Sequence, residues 1–177
     1  MGKLYYLMGK SSSGKDTLYK MLMGNESLGL KKILPYTTRP IRDGEKEGVE
    51  YHFTNKAGLD ELNEKGKVVE SRCYNTVHGD WYYFTVDDEN IDFHNNDYLM
   101  IGTLESYEKI RDYYGKNLVV DIYIDTDDGI RLERALKRER EQKEPKYKEM
   151  CRRFLADAED FSEEKLAKLE VNNRFVN

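Results

Sequence analysis

Several features are scarce in this 177-residue chain, and each scarcity excludes a class of protein. Two cysteines, Cys73 and Cys151, are too few for a disulfide framework and fit reduced cytosolic thiols better. No apolar run approaches the ~20 residues of a membrane-spanning helix. The N-terminal stretch has no signal-peptide cleavage pattern, so a cytoplasmic protein without a membrane partner is expected. Three histidines, His52, His78 and His94, are scattered without metal-ligand spacing and fit structural or exposed roles. Positive charge is not in excess either: the net charge is −5, which argues against a nucleic-acid backbone as the main partner. What remains is a soluble, acidic chain of one domain's length. A phosphate ligand would need a local basic pocket.

Such a pocket is suggested at the start of the chain. Lys3–Met8 is a run of large, β-favouring side chains and predicts a buried strand. A polar loop follows, and Leu18, Met21 and Leu22 then fall at helical spacing up to Gly24 and Asn25. The loop, Gly9-Lys-Ser-Ser-Ser-Gly14-Lys15-Asp16, fits G-x-x-x-x-G-K between strand and helix. The glycines let successive backbone N–H groups curl around an anion. Lys15 adds a point charge for β and γ phosphates, and the helix N-terminus adds its positive dipole end. Gly9, Ser11, Ser12, Ser13, Gly14, Lys15, Asp16 and Thr17 are therefore the candidate ATP-binding residues. Asp16 stands where a serine or threonine hydroxyl usually meets Mg²⁺. Its carboxylate could hold that ion or could favour the first helical turn, and the two roles are compatible.

Further along, Tyr98–Ile101 and Leu118–Ile124 predict strands, with helices over about 104–115 and 127–142. Alternating strands and helices predict an α/β fold with a parallel sheet. Between residues 33 and 86 the texture changes, with Pro35, Pro40, Gly44 and Gly48 breaking the chain. Lys67–Glu70 and Trp81–Val86 predict strands of a smaller, more antiparallel subregion. Lys137–Arg153 holds eight basic residues against four acidic ones, with Pro145 interrupting the helix. This stretch could be a lid over a phosphate ligand or a solvated helix of alternating charge.

The stretch Thr37-Thr38-Arg39-Pro-Ile-Arg42-Asp-Gly44-Glu45-Lys-Glu-Gly48-Val-Glu-Tyr51-His-Phe53 resembles guanylate kinases. Every fixed position of their pattern T-T-R-x-x-R-x-G-E-x-x-G-x-x-Y-x-F is present. Taken alone, two arginines three apart with a nearby tyrosine could hold a dianionic phosphate or lie in an exposed charged loop. The resemblance implies a P-loop NTPase core over about 1–34, 87–136 and 154–177. It also implies an acceptor-binding region at about 35–86 and a lid at about 137–153. The implied activity is transfer of a phosphoryl group from ATP, with Mg²⁺, to GMP or dGMP. Arg39, Arg42 and Tyr51 would hold the acceptor phosphate and Glu45 would orient them. Glu70 would accept from guanine N1 and N2, Tyr83 would reach the acceptor phosphate, and Thr85 would reach guanine O6. Arg134, Arg138 and Arg153 would act with Lys15 on the transferring phosphoryl group.

Three positions depart from the pattern. Pro35 replaces a serine that meets guanine. Ile101-Gly-Thr103 replaces D-x-D, whose acids help position metal and acceptor. Asp16 is the third, and it could compensate for the lost acids. Two other functions remain on the same residues: a sugar-phosphate kinase of the ribose bisphosphokinase type, which can carry G-K-D, and a module that binds a protein without chemistry. No feature of the sequence assigns an oligomeric state.

Overall fold

The computed structural model describes every residue except 43, 77–78 and 89–90, so His78 lies outside the described residues. The chain opens with β1 (Leu4–Met8), α1 (Lys15–Gly24), a 3-10 turn (Glu26–Leu28) and β2 (Lys31–Lys32). The middle third carries β3 (Tyr36–Thr37), β4 (His52–Phe53), α2 (Lys56–Glu64), β5 (Val68–Thr76) and β6 (Gly79–Val86). The rest is β7 (Tyr98–Ile101), α3 (Leu104–Tyr114), β8 (Val119–Asp125), α4 (Asp128–Arg140), α5 (Tyr147–Asp160), α6 (Glu163–Lys168) and β9 (Arg174–Val176). Among the described residues no helix is long and apolar enough to cross a membrane.

The core sheet has the order β2-β7-β1-β8-β9, and all its pairs are parallel. Strand β1 is central, which explains its nearly unbroken apolar sequence: both faces are covered. Leu4, Tyr6 and Met8 pack on one face with Tyr107 and Ile110 of α3 and Leu166 of α6. Leu7 packs on the other with Leu99, Ile124 and the Leu18, Tyr19 and Leu22 stripe of α1. Because all five strands run the same way, the loops after β1, β7 and β8 emerge along one edge. Open parallel sheets bind ligands in the crevice at that edge.

The second sheet, β4-β3-β6-β5, is built on antiparallel β3–β6 and β5–β6 pairs. Its two faces differ sharply. Phe84 and Val86, with Tyr36, Val68 and Tyr82 partly buried, pack against Leu59 and Leu62 of α2. The period-2 alternation places Glu70 and Arg72 of β5 opposite Thr85 and Tyr83 of β6, and Tyr83 opposite Thr37 of β3, on the other face. One side of this sheet is thus an apolar seat and the other a row of polar side chains.

The strand at Lys67–Glu70 runs on to Thr76, and the one at Trp81–Val86 begins at Gly79. The added residues are mostly polar or glycine (Ser71, Arg72, Asn75, Thr76, Gly79 and Asp80), so they carry little hydrophobic signal. Helix α2 and strands β2 and β9 were not expected from sequence. The buried face of α2 rests on Leu59 with Leu62 beside it, started by the Asn55 side chain accepting from Gly58 N–H at 2.9 Å. Strands β2 and β9 are short, exposed edges that borrow their order from β7 and β8. Pro145 lies in the 141–146 connection between α4 and α5, as its missing N–H requires.

Candidate active site

The phosphate loop joins the central strand β1 to α1, which puts it in the middle of the sheet edge. Gly14 has φ +90°, a conformation that glycine adopts without steric penalty. At Gly9 a Cβ would lie 2.8 Å from the Ile124 carbonyl oxygen and 2.9 Å from Ser13 Oγ, so only glycine fits. Ser12 sits at φ +63°, the left-handed region that non-glycine residues rarely occupy. Ser13 is completely buried, and its hydroxyl oxygen has no hydrogen-bond partner. An unpartnered polar atom inside a glycine-bounded cradle suits a loop made to receive polar ligand oxygens.

Distant elements hold the loop in shape. Thr126 Oγ1, just after β8, donates to the Ser13 carbonyl at 3.1 Å, and Asn177 Nδ2 donates to the same oxygen at 2.7 Å. Arg131 of α4 is 1% exposed; its Nε donates to the Ser11 carbonyl at 2.9 Å and its Nη2 to Asp157 Oδ2 at 3.0 Å. Asp157 in turn accepts from the Ser11 backbone N–H at 2.7 Å, tying α5 to the loop. Arg134 Nη1 reaches the Ser12 carbonyl at 3.5 Å and Arg138 Nη2 the Ser12 hydroxyl at 3.3 Å. Arg153 lines the same small recess as Ser11, Ser12 and Arg138. The structure therefore brings Arg134, Arg138 and Arg153 to the Ser11–Ser12 side of the loop, while Lys15 opens α1 at the loop's end and pairs with Asp16.

Arg131 and Asp157 were not singled out from sequence. A signal existed for the first: Arg131, Arg134 and Arg138 share one face of α4 at i, i+3, i+7 spacing. Asp157 gave none, because its role exists only once α5 has docked. The helix α4 ends at Arg140, and the buried Glu139 carboxylate accepts from the Lys146 N–H at 2.9 Å, closing the turn into α5.

At the N-terminus of α1, Lys15 Nζ donates to Asp16 Oδ2 at 3.2 Å, and Asp16 is largely exposed. Helix α1 has no side-chain N-cap, and Asp16 stands in its first turn. Among the described residues no group of three or more metal-ligating side chains converges. A lone carboxylate still fits Mg²⁺, which takes one or two carboxylates together with phosphate oxygens and water. Ile101 and Thr103, at the positions of the D-x-D acids, sit at and just after the end of β7. Ile101 is paired with Leu7 of β1, beside the loop.

On the polar face of the second sheet, Arg39 is 3% exposed and forms a two-pronged pair with Glu45: Nη1 to Oε2 and Nη2 to Oε1, both 2.9 Å. Its Nε donates to the Tyr83 hydroxyl at 3.1 Å, and its guanidinium lies over Tyr51 at 5.5 Å and Phe53 at 5.6 Å. Burial opposes the Arg39 charge, but the Glu45 and Tyr83 hydrogen bonds outweigh it and hold its pKa above the ordinary value. The Arg39 pair pulls the Glu45 carboxyl below its usual range, and the Arg42 backbone N–H, 2.8 Å from Glu45 Oε2, adds to that. Arg39, Glu45, Tyr51 and Tyr83 are thus one cluster. Arg42 joins it through its backbone, while its side chain is exposed.

Glu70 and Thr85 also come together. The buried Glu70 accepts from Thr85 Oγ1 at 2.8 Å and from Arg72 Nε at 3.1 Å. Arg72 Nη1 reaches on to Thr103 Oγ1 at 3.1 Å. This contact crosses from the second sheet to the edge of the core sheet. Behind it, Thr103 and Ser106 cap α3, and Tyr6 shares its hydroxyl with Ser106 Oγ at 2.6 Å. Arg72 was not singled out from sequence; its i, i+2 spacing from Glu70 in a strand was the available signal.

Comparison with known proteins agrees with this arrangement. The guanylate kinase family model matches residues 1–173. The guanylate kinase of Aliivibrio fischeri is 38% identical over 82 residues, 46% of this chain and 38% of that protein. The guanylate kinase of Neisseria gonorrhoeae is 36% identical over 81 residues, with the same coverage. These matches span well under half the length of those relatives. The crystal structure of guanylate kinase from Anaplasma phagocytophilum superposes on 99% of this chain and 77% of its own, with a TM-score of 0.61 and 22% sequence identity, a likeness of fold. A parallel sheet edged by a phosphate loop, an arginine-bearing helix pair above it and a whole-length family match together place the chain in the guanylate kinase family.

Proposed function

We propose that this protein transfers the γ-phosphoryl group of ATP to GMP or dGMP. One observation supports it above the others: hydrogen bonds and strand pairing join the Glu70 face of the second sheet to the strand that opens into the phosphate loop. Glu70 is linked through Arg72 to Thr103, which follows β7, and β7 is hydrogen-bonded to the strand that opens into the loop. Donor phosphates would lie against Gly9, the Ser11–Ser13 stretch, Gly14, Lys15 and Thr17. Arg134, Arg138 and Arg153 would neutralise charge on the transferring group. Arg39, Arg42, Tyr51 and Tyr83 would hold the acceptor phosphate, with Glu45 fixing the Arg39 fork, and Glu70 and Thr85 would face the base.

The proposed reaction needs no covalent nucleophile. Phosphoryl transfer is catalysed by positioning and charge stabilisation, and this site supplies both. Mg²⁺ on the donor phosphates would supply further charge neutralisation, and Asp16 is the carboxylate available to hold it. In this reading residues 35–86 bind the acceptor and residues 137–153 form the lid.

A coupled ADP-release assay with ATP and Mg²⁺ tests the reading against GMP, dGMP, AMP, UMP and ribose 1,5-bisphosphate. Turnover with GMP and dGMP is expected. A preference for the sugar bisphosphate would overturn the assignment of Glu70 to a base.

A further inference from the structure

Both backbone polar groups of Ser11, in the first half of the phosphate loop, are held by side chains from the two helices that follow β8. Its carbonyl accepts from Arg131 Nε of α4 at 2.9 Å, and its N–H donates to Asp157 Oδ2 of α5 at 2.7 Å. The same carboxylate oxygen accepts from Arg131 Nη2 at 3.0 Å, which closes a ring of hydrogen bonds through the loop, α4 and α5. Arg131 Nη1 donates to Asp128 Oδ1 at 2.5 Å, and that oxygen lies 3.6 Å from Nζ of Lys10, the residue before Ser11. Phe154 of α5 covers the guanidinium, its ring centre 4.8 Å away. The Arg131 side chain is 1% exposed and that of Asp157 17%. A buried ion pair of this kind adds little net stability over an apolar contact of the same volume. What it adds is direction, because charge-assisted hydrogen bonds fix the orientation of the groups they join.

The neighbouring residue shows what that orientation is for. Ser12 sits at φ +63°, a conformation that a non-glycine residue keeps only where its surroundings impose it. Its own contacts, from Arg134 at 3.5 Å and Arg138 at 3.3 Å, are long, whereas both bonds on Ser11 are short. Resting on the reading of this loop as the donor site, we infer that Asp157, together with Arg131, is a positioning residue for the donor nucleotide. It holds Ser11, and through it the left-handed Ser12, so that the loop keeps the shape that receives the donor phosphates. Asp157 also lies one helical turn after Arg153, so the bond that shapes the loop brings that arginine to it. Both residues act through the loop, since their own bonding atoms are taken up by Ser11, by Asp128 and by each other.

The test is the KM for ATP at saturating GMP and the KM for GMP at saturating ATP, with Mg²⁺ and the full chain, beside the thermal midpoint of each variant. Asp157→Ala should raise the KM for ATP by about tenfold or more, the loss expected of a charge-assisted hydrogen bond, and leave the KM for GMP within about twofold. Asp157→Asn keeps an oxygen for the Ser11 N–H and should raise the KM for ATP less. The double variant Arg131→Leu/Asp157→Ala removes the ion pair from both sides and separates the two roles. It should recover much of the thermal midpoint lost in Asp157→Ala, yet keep the raised KM for ATP. If Asp157→Ala does not fold, the double variant and Asp157→Asn decide. An unchanged KM for ATP in the folded variants, equal rises for ATP and GMP, or a double variant that restores KM along with stability would overturn the inference and leave phosphoryl transfer to GMP standing. A wild-type chain that turns over no GMP with ATP would overturn both.

Discussion

At the scale of single residues, the site divides between side chains that act by charge and those that hold them. Asp16 belongs to the first kind if it meets Mg²⁺. Asp16→Asn keeps size and helix-start preference but removes the charge. The Mg²⁺ concentration for half-maximal activity should rise severalfold while the thermal midpoint stays within a few degrees. An unchanged Mg²⁺ requirement would leave Asp16 as a helix-start residue only. Glu45 belongs to the second kind. Its folded-state pKa is lowered below 4.5, first by the Arg39 hydrogen bonds. A depressed carboxylate contributes stability that is present above its unfolded value and is lost as pH falls through the folded one. Urea unfolding across about pH 3 to 6 should therefore show an acid loss that is shallower in Glu45→Gln. Identical slopes would mean that the Arg39–Glu45 pair does not support the folded state.

Lys15 is legible in the sequence through the G-x-x-x-x-G-K spacing, and the cluster of Arg39, Glu45 and Tyr51 through a pattern that resembles a known family. Arg72, Arg131 and Asp157 are not. The partners of Arg131 and Asp157 lie on elements far along the chain, and Arg72 gains its meaning from Thr103, 31 residues on and beside the other sheet.

At the scale of elements, the site depends on how tightly β1, the loop and β8 approach each other. A Cβ on Gly9 would press on the Ile124 backbone oxygen, which cannot swing away as a side chain could. Gly9→Ala should destabilise the fold by about 1–3 kcal/mol, as overpacked sites do, and weaken ATP binding more than GMP binding. Chemical denaturation with separate titrations of the two nucleotides would show it, and equal losses for both would mean the loop does not hold the donor. The strongly apolar elements, β1, β7 and β8, were predictable because hydrophobic runs mark buried strands. The second half of β5 was not, since Cys73, Tyr74 and Asn75 are exposed and their order comes from pairing with β6. Helix α2 was missed for the same reason: a single buried leucine is a weak periodic signal.

At the scale of the whole molecule, the core sheet and the second sheet meet through polar contacts such as Arg72–Thr103, while α4 and α5 reach the loop through arginines. Contacts of this kind can break and re-form around a ligand more readily than an apolar core can. Residues 35–86 and 137–153 should therefore gain hydrogen-exchange protection when a bisubstrate analogue joining adenosine and guanosine through a phosphate chain is bound. Protection confined to the loop after β1 would contradict closure. The sequence pattern marked these two stretches through their prolines, glycines and basic residues, but not the contacts that join them to the core.

The central claim is that the loop after β1 and the Arg39–Glu70 face act on one phosphoryl group. Phosphorus NMR of the full chain with ATP, Mg²⁺ and GMP follows that group directly. The account predicts that the γ resonance of ATP is lost as the β resonance of GDP grows in equal amount, with Lys15→Ala slower by orders of magnitude. Release of inorganic phosphate without GDP, or GDP formed as fast by Lys15→Ala, would contradict it.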